Sequence, residues 1–314
     1  MITQVQEAIT IGKRAVIVAP PGAGKTTIIP LKLLDNPNIN GQIIILEPRR
    51  LAARAAASQM AAILNERIGE TVGFKIKGLT KVSKQTRIVV MTEGILIRMI
   101  QSNPSLSEVG CIIFDEFHER SINSELGLAL SLQLAEILRS DLRIIVMSAT
   151  LDIGPVSDLL DTRAPIISDG RAYPVNVEYL SRPRSKNDKI WENFAKLVSD
   201  AFEMTEGGIL AFLPGEAEIR ATEKLLKEML PNSAIVMPLY GSLPFEQQNK
   251  ILEPLKDETL RKVVLSTSIA ETSLTISGIK VVVDSGYTRR SRYDPNSGMS
   301  RLITQKISKA EANQ

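Results

Sequence analysis

Two segments of this sequence carry the residue types that bind and hydrolyse nucleoside triphosphates. The first, residues 15–30 (AVIVAPPGAGKTTIIP), is an apolar run that ends in a glycine-rich turn with Lys25 and Thr26. The second, residues 110–120 (GCIIFDEFHER), is an apolar run that ends in the adjacent acids Asp115 and Glu116. A short apolar run that ends in polar residues is typical of a buried parallel strand. Together the two segments predict the halves of one nucleotide hydrolysis site.

The glycine-rich turn has the composition of a phosphate-binding loop. Its backbone N–H groups and the start of the following helix form an anion cradle, which glycines allow the phosphates to approach closely. Lys25 can reach the β- and γ-phosphates, and the Thr26 hydroxyl can ligate Mg²⁺. The first glycine of the usual pattern is Ala19 here, a small residue that keeps the strand exit open. The residues expected around the phosphates are Gly22, Ala23, Gly24, Lys25, Thr26 and Thr27.

The acidic segment supplies the other half of the chemistry. Asp115 follows a buried strand, at the end of the sheet where ligands collect in open α/β folds, and is expected to hold Mg²⁺. Glu116 is placed to orient the attacking water. The metal candidates are therefore Thr26, Asp115 and Glu116. His118, the only histidine in the chain, is either structural or, two residues after Glu116, a coupling residue at the nucleotide edge.

Strand-like and helix-like segments alternate along the chain. Apolar runs at 15–19, 42–46, 87–91, 111–114 and 143–147 are separated by helical stretches such as 51–69 and 124–138. A second series, at 208–212, 234–237, 262–266 and 280–284, brackets helices at 216–229 and 244–255. This alternation predicts mainly parallel sheets with helices on both faces. We expect two α/β domains, 1–168 and 169–314, whose boundary lies where glycine and proline interrupt residues 166–183.

Several polar residues at strand exits suit the nucleic-acid backbone. Arg49 and Arg50 follow a strand and precede a helix, a position that favours phosphate binding, although a solvated turn is the alternative. Thr92 and Gly94 occupy another strand exit. In the second domain the counterparts are Gly241, Ser242 and Thr267. Groups of this kind contact the sugar–phosphate backbone, so little base specificity is expected.

Six motifs in order resemble those of the DEAH/RHA group of superfamily-2 helicases. The D-E-x-H box is residues 115–118, and the similar segments are 47–53 (EPRRLAA), 92–96 (TEGIL), 148–150 (SAT), 239–244 (LYGSLP) and 266–276 (STSIAETSLTI). Within the group, the plain N-terminus and residues 170–175 (GRAYPV) look most similar to the bacterial HrpB-type helicases.

The resemblance implies two tandem RecA-like P-loop NTPase domains that bind a nucleotide between them. Such a core hydrolyses ATP in the presence of Mg²⁺, and other NTPs are also accepted. Hydrolysis is coupled to movement along a single nucleic-acid strand, which is RNA in preference to DNA. The resemblance adds Glu93 to the nucleic-acid candidates. It also adds nucleotide-site candidates, namely Ser148, Thr150, Glu271 and Thr272.

The chain departs from the family pattern in three places. An arginine-rich motif, Q-R-x-G-R-x-G-R, is expected where the sequence ends at Gln314, so we expect a fragment whose partners include C-terminal domains of the same protein. Without an arginine finger, which is worth roughly 10³–10⁵ in rate, hydrolysis would be slow. Ser277 and Leu252 stand where relatives carry adenine-contacting residues, which predicts weaker base selectivity.

Residues 287–304 predict a β-hairpin, either a strand separator or a plain surface hairpin.

Composition bears on the partners and the cellular compartment of the protein. A chain of 314 residues with a net charge of +3 is mildly basic, which permits a nucleic-acid partner without requiring one. Cys111 is the only cysteine, which fits a reducing cytosol, and no apolar run approaches the roughly 20 residues of a membrane span. We expect a cytoplasmic protein without membrane contact, of undetermined oligomeric state. Two alternatives remain: a P-loop ATPase that drives a protein or transport process, and a non-catalytic nucleic-acid-binding module.

Overall fold

The computed structural model describes residues 1–20, 23–149, 154–162, 164–168, 174–180, 190–271 and 276–313. The chain divides into two compact units, Met1–Pro174 and Val175–Gln314. Each unit has its own sheet and its own hydrophobic core.

The first unit is built on an eight-stranded sheet within the described residues. The strand order is β4-β3-β5-β2-β6-β7-β1-β8, and every pairing is parallel except that of β3 with β4. The strands are β1 Arg14–Val18, β2 Gln42–Glu47, β3 Val72–Ile76, β4 Leu79–Lys81, β5 Ile88–Thr92, β6 Val109–Phe114, β7 Arg143–Ser148 and β8 Ile166–Ile167.

Helices cover both faces of this sheet because its central strands are apolar on both sides. In β2, Ile43 and Ile45 pack into one core, whereas Ile44 and Leu46 pack into another, as the two-residue period of a strand requires. The helices are α1 Ile2–Ile11, α2 Lys25–Leu33, α3 Arg50–Ile63, α4 Glu93–Ser102, α5 Ile122–Ile137 and α6 Gly154–Leu159.

The second unit repeats the α/β plan with four parallel strands in the order β10-β11-β9-β12. Its core is formed by residues such as Phe194, Ile209 and Val263. The strands are β9 Gly208–Phe212, β10 Ala234–Leu239, β11 Arg261–Ser266 and β12 Ile279–Asp284, and the helices are α7 Ile190–Met204, α8 Glu216–Met229, α9 Phe245–Leu252 and α10 Lys309–Asn313. The predicted hairpin is confirmed as β13 Tyr287–Asp294 paired antiparallel with β14 Met299–Lys306.

The predicted parallel sheets with helices on both faces are confirmed, but some boundaries are wrong. The alanine-rich helix ends at Ile63 and not at residue 69, because Asn65 adopts a positive φ of 55° that interrupts the helix. The strand β3, which follows that turn, was not predicted. The strand β10 continues beyond residue 237 through Pro238, which its place at the sheet edge allows. Within the described ranges, none of the helices combines the length and apolar character of a bilayer-spanning segment.

Candidate active site

The carboxyl ends of the central strands of the first sheet lie at one edge. Val18 at the end of β1 lies beside Ser148 at the end of β7, and Glu47 of β2 lies beside Thr92 of β5. The strand β6 ends at Phe114, between β2 and β7 in the sheet. The loops that carry most of the predicted site residues of this unit therefore emerge next to one another, where ligands bind in parallel sheets.

The loop predicted to bind phosphate ends in a left-handed turn that begins α2. Gly24 caps the helix with a φ of 74°, and a Cβ atom there would lie 2.8 Å from the Ile28 Cδ1 atom. Glycine is therefore favoured by the backbone conformation, whereas the end of the exposed Ile28 side chain could move aside for a Cβ atom. The N–H groups of Lys25 and Thr26 belong to the first turn of α2, where backbone donors have no carbonyl partner within the helix and suit an anion. Gly22 lies outside the described residues.

The two halves of the predicted site are in direct contact. The Lys25 Nζ atom lies 3.2 Å from Oε1 and 3.3 Å from Oε2 of Glu116, and the exposed fractions of the two side chains are 4% and 6%. The Thr26 hydroxyl donates a hydrogen bond to the Asp115 carboxylate. Asp115 also accepts a bond from the Glu116 backbone N–H at 2.8 Å. The cationic and acidic halves of the predicted site therefore neutralise each other.

A left-handed backbone at Glu116 creates this arrangement. Its φ of 49° and ψ of 36° turn the chain sharply after β6, and such a conformation is unfavourable for a residue with a side chain. The turn lets Asp115 face Thr26 while Glu116 faces Lys25. No sequence signal marks this residue as left-handed, because glycine and asparagine are the residues usually expected there.

The electrostatics of the acidic pair suit a divalent cation. Burial raises the pKa of Asp115 to about 6; the charge of Glu116 also raises it, whereas Lys25 and the Thr26 hydrogen bond lower it. A carboxylate held in this setting gains from a nearby positive ion. The oxygens of Thr26 and Asp115 are hard ligands in mutual contact, which fits Mg²⁺. The described residues hold no cluster of three or more acidic, histidine or cysteine side chains for a metal, and Mg²⁺ commonly completes its shell with water and phosphate.

His118 connects the acidic pair to the loop after β7. Its Nδ1 atom accepts a hydrogen bond from the Ala149 backbone N–H at 3.3 Å and lies 3.5 Å from Glu116 Oε2. Burial lowers the pKa of His118, against the opposing effect of Glu116. The lowered pKa and the hydrogen bond accepted by Nδ1 both favour the neutral imidazole. Ser148 is buried at the same strand end, and Thr150 lies outside the described residues.

The nucleic-acid candidates of the first unit lie beside the acidic segment. The guanidinium of Arg49 lies 3.1 Å from the Glu119 carboxylate, whereas Arg50 is exposed at the start of α3. Glu93 is buried, and its carboxylate accepts a hydrogen bond from the Ser121 hydroxyl. Sequence reasoning did not single out Glu119 or Ser121. Two further candidates are exposed in part, Thr92 at the cap of α4 and Gly94, where a Cβ atom would meet nothing within 4 Å.

The candidates of the second unit lie where β10 and β11 end. Gly241 and Ser242 are exposed, and the Ser242 hydroxyl donates to Glu216 at 2.9 Å. Thr267 caps the short helical turn after β11. Glu271 is partly exposed at the end of the same turn, whereas Thr272 lies outside the described residues.

The two positions expected to affect base selectivity are adjacent in the second unit. The Ser277 backbone N–H donates to the Leu252 carbonyl at 3.3 Å.

Comparison with known protein families matches both units. The DEAD/DEAH box helicase family matches residues 3–159, which include the nucleotide-site loops described above. The chain belongs to this family. The helicase conserved C-terminal domain matches residues 185–306. These matches favour a helicase core over both alternatives, the transport or protein-driving ATPase and the non-catalytic module.

Similar proteins share this sequence and fold over nearly the whole chain. The ATP-dependent RNA helicase HrpB of Escherichia coli (strain K12) is 43% identical over 314 residues, which are 100% of this chain and 38% of that protein. An ATP-dependent RNA helicase HrpA homolog of Haemophilus influenzae is 37% identical over 99% of this chain and 24% of its own length. The crystal structure of the Escherichia coli DEAH/RHA helicase HrpB superposes with a TM-score of 0.92 and 44% identity, over 99% of this chain and 40% of that one. The chain thus spans well under half the length of these relatives. The predicted pair of RecA-like domains and the similarity to HrpB-type helicases are confirmed.

Proposed function

We propose that the protein hydrolyses ATP, with Mg²⁺, and couples hydrolysis to movement along single-stranded RNA. The contact of Lys25 and Thr26 with Glu116 and Asp115 carries the proposal, because it assembles phosphate binding, a metal site and a general base in one place. Thr26 and Asp115 would hold Mg²⁺, which when bound offsets the charge of the phosphates.

Each residue of the proposed site has its own role in hydrolysis. The triphosphate enters the cradle formed by the backbone N–H groups at the start of α2, and Lys25 exchanges the Glu116 carboxylate for a phosphate oxygen. Glu116 is then released to orient a water molecule toward the γ-phosphate and to accept its proton. His118, neutral and bonded to the Ala149 N–H, relays the position of Glu116 to the loop after β7. Ser148, Thr150, Glu271 and Thr272 complete the proposed nucleotide contacts.

The names of similar proteins support RNA as the nucleic acid, and the types of the candidate contact residues bear on sequence specificity. The similar proteins carry the description ATP-dependent RNA helicase. The candidate contacts are a threonine and a glycine at one strand exit, Thr92 and Gly94, with their counterparts Gly241, Ser242 and Thr267 in the second unit. These groups suit a backbone rather than base edges, so binding is expected to be largely independent of sequence. The proposed domains are 1–168 and 169–314, and the proposed location is the cytoplasm.

The deciding experiment measures ATP hydrolysis with no nucleic acid, with single-stranded RNA and with DNA of the same sequence. RNA is expected to stimulate turnover, and Glu116→Gln is expected to abolish it. The matched control is Glu125→Gln, which removes an equal charge from an exposed ion pair with Arg120 nearby. If ATP binds but neither nucleic acid changes turnover, the helicase proposal fails and a P-loop ATPase with another task is favoured. Equal stimulation by DNA would overturn the preference for RNA.

A further inference from the structure

The chain after the acidic pair forms a short turn with unusual backbone geometry. We call residues 117–121 the connecting turn. It follows Glu116, whose φ is 49°, and contains Arg120, whose φ is 47°. Left-handed conformations at residues other than glycine cost free energy and persist where the surrounding structure enforces them. Two left-handed residues, Glu116 and Arg120, lie within five residues, which indicates that the surrounding structure holds this segment in one conformation.

The connecting turn is anchored so that it behaves as one body with Glu116. Phe117 is buried, and its ring packs edge-on against Phe114 with centroids 6.2 Å apart. The Glu119 N–H donates to the Glu116 carbonyl at 2.9 Å, and the Arg120 N–H donates to the Phe117 carbonyl at 3.2 Å. A displacement of Glu116 is therefore transmitted to Glu119 through a single turn of hydrogen-bonded backbone.

The Glu119 side chain holds Arg49, a candidate for binding a nucleic-acid phosphate. The Arg49 Nη2 and Glu119 Oε2 atoms are 3.1 Å apart, and the exposed fractions of these side chains are 20% and 18%. The neighbouring pair of Arg120 and Glu125 differs, since its exposed fractions are 64% and 49%. Water screens the exposed pair far more than the partly buried one, so only the first is expected to fix the orientation of its arginine.

The end of the connecting turn is fixed to a second candidate loop. The Ser121 hydroxyl donates to Glu93 and accepts the Ser124 N–H at 2.9 Å, which caps α5. Glu93 begins α4, directly after Thr92. The connecting turn thus touches both strand exits that carry the nucleic-acid candidates of the first unit, and it directly follows Glu116, the residue that contacts Lys25.

We propose that Glu119 is a positioning residue that couples the nucleotide site to RNA through its ion pair with Arg49. This inference rests on the proposed function. When Lys25 exchanges Glu116 for a phosphate, the connecting turn shifts together with Glu116. Glu119 then moves the Arg49 guanidinium through their ion pair. Coupling between two sites is reciprocal, so an RNA phosphate on Arg49 acts back on Glu116 by the same route.

A double-mutant cycle in the whole protein tests this role. The variants are Glu119→Gln, Arg49→Gln and both together. The readouts are the affinity for a fluorescent oligouridine RNA, and the ratio of ATP turnover with saturating RNA to turnover without it. Glu119→Gln is expected to lower the ratio by about tenfold, within the usual range of coupling between sites, while RNA affinity changes by less than about threefold. Arg49→Gln is expected to weaken RNA binding as well as lower the ratio.

The double variant should have a ratio no lower than that of the more affected single variant, since both substitutions break one connection. The control Glu125→Gln should leave the ratio unchanged. The proposal is overturned if Glu119→Gln resembles this control, or if the two substitutions multiply in their effects on the ratio. It is also overturned if the RNA affinity of Glu119→Gln falls in parallel with its ratio. If Glu119→Gln does not fold, Glu119→Asp, which keeps the charge, should give an intermediate ratio, and an unchanged ratio would refute the proposal. Failure of RNA to stimulate the unsubstituted protein would instead overturn the proposed function, together with this inference.

Discussion

Replacing Asp115 with asparagine is expected to stabilise the first unit at about pH 7, although it removes a proposed metal ligand. Burial and the Glu116 charge raise the pKa of Asp115 from 3.8 to about 6, in spite of Lys25 and Thr26. The folded protein therefore binds this proton more tightly than the unfolded chain does. Above about pH 6 the buried charge costs about 3 kcal/mol, since a tenfold change in proton affinity is worth about 1.4 kcal/mol.

Asparagine has no such charge at any pH, so the expected gain follows from this cost. The gain at about pH 7 is about 1 to 3 kcal/mol, because a poorer hydrogen bond to the amide removes about 1 kcal/mol. Below about pH 4 the native carboxyl is protonated in both states, and the gain should disappear. The opposite sign is expected for Asp141→Asn. The hydrogen bond from Arg139 lowers the pKa of Asp141, so its ionised form stabilises the fold above its ordinary pKa and loses that effect as pH falls.

The two units must be measured separately, because they need not unfold together. Hydrogen exchange of peptides from β6 during a urea titration, without nucleotide or Mg²⁺, reports on the first unit. Trp191, the only tryptophan, lies in α7 of the second unit, so its fluorescence is an internal control that Asp115→Asn should not change. A loss of stability in the first unit at about pH 7, or a gain that persists unchanged at about pH 4, would refute the reasoning from burial.

Three further predictions concern the same site. Glu116→Gln should slow single-turnover ATP hydrolysis by about 10²–10⁴-fold, because the proposed general base is lost. Equilibrium binding of ATP should be kept, because Lys25 loses its charged partner but not its access to phosphate, and a parallel loss of binding would contradict this. His118 should gain its second proton at a lower pH than a free histidine does, since burial lowers its pKa, and as the only histidine it can be followed in a ¹H–¹⁵N spectrum without assignment; protonation at a higher pH than that of a free histidine would show the interpretation to be wrong. Gly24→Ala should weaken nucleotide binding measured by calorimetry, because its φ of 74° is unfavourable for alanine in the loop expected to hold the phosphates, whereas Gly78→Ala, at a similar positive φ outside that loop, should not; equal effects on binding would contradict the assignment of this loop.

The sequence was sufficient to predict most strands of both sheets and the strand exits that carry the chemistry. Buried parallel strands are continuous apolar runs, so the acids that interrupt such a run mark its carboxyl end. The run before Asp115 predicted a strand at 111–114, and the structure has Val109–Phe114. Because carboxyl ends of parallel strands share one edge, the two motifs were expected to meet there, and Thr26 does contact Asp115 although β7 lies between their strands.

The contacts of the connecting turn were beyond sequence reasoning. They depend on positive φ angles at Glu116 and Arg120, and neither residue type signals such a conformation. Once those angles are fixed, Glu119 reaches Arg49. The same difficulty hid β3, since the left-handed Asn65 ends a helix whose alanine-rich pattern extends further along the chain. Side-chain pairing across loops is a property of tertiary structure, which local periodicity does not encode.

The edge strands of both sheets bear on how identical copies behave at high concentration. A long, regular edge offers unpaired backbone groups to which a strand from another copy can add. Here β4 spans Leu79–Lys81 and is exposed, β8 spans Ile166–Ile167, and Pro238 removes a donor from β10. Newly made copies that emerge side by side during translation would find little backbone to share at these three edges. We therefore expect strand addition between copies to be disfavoured at β4, β8 and β10.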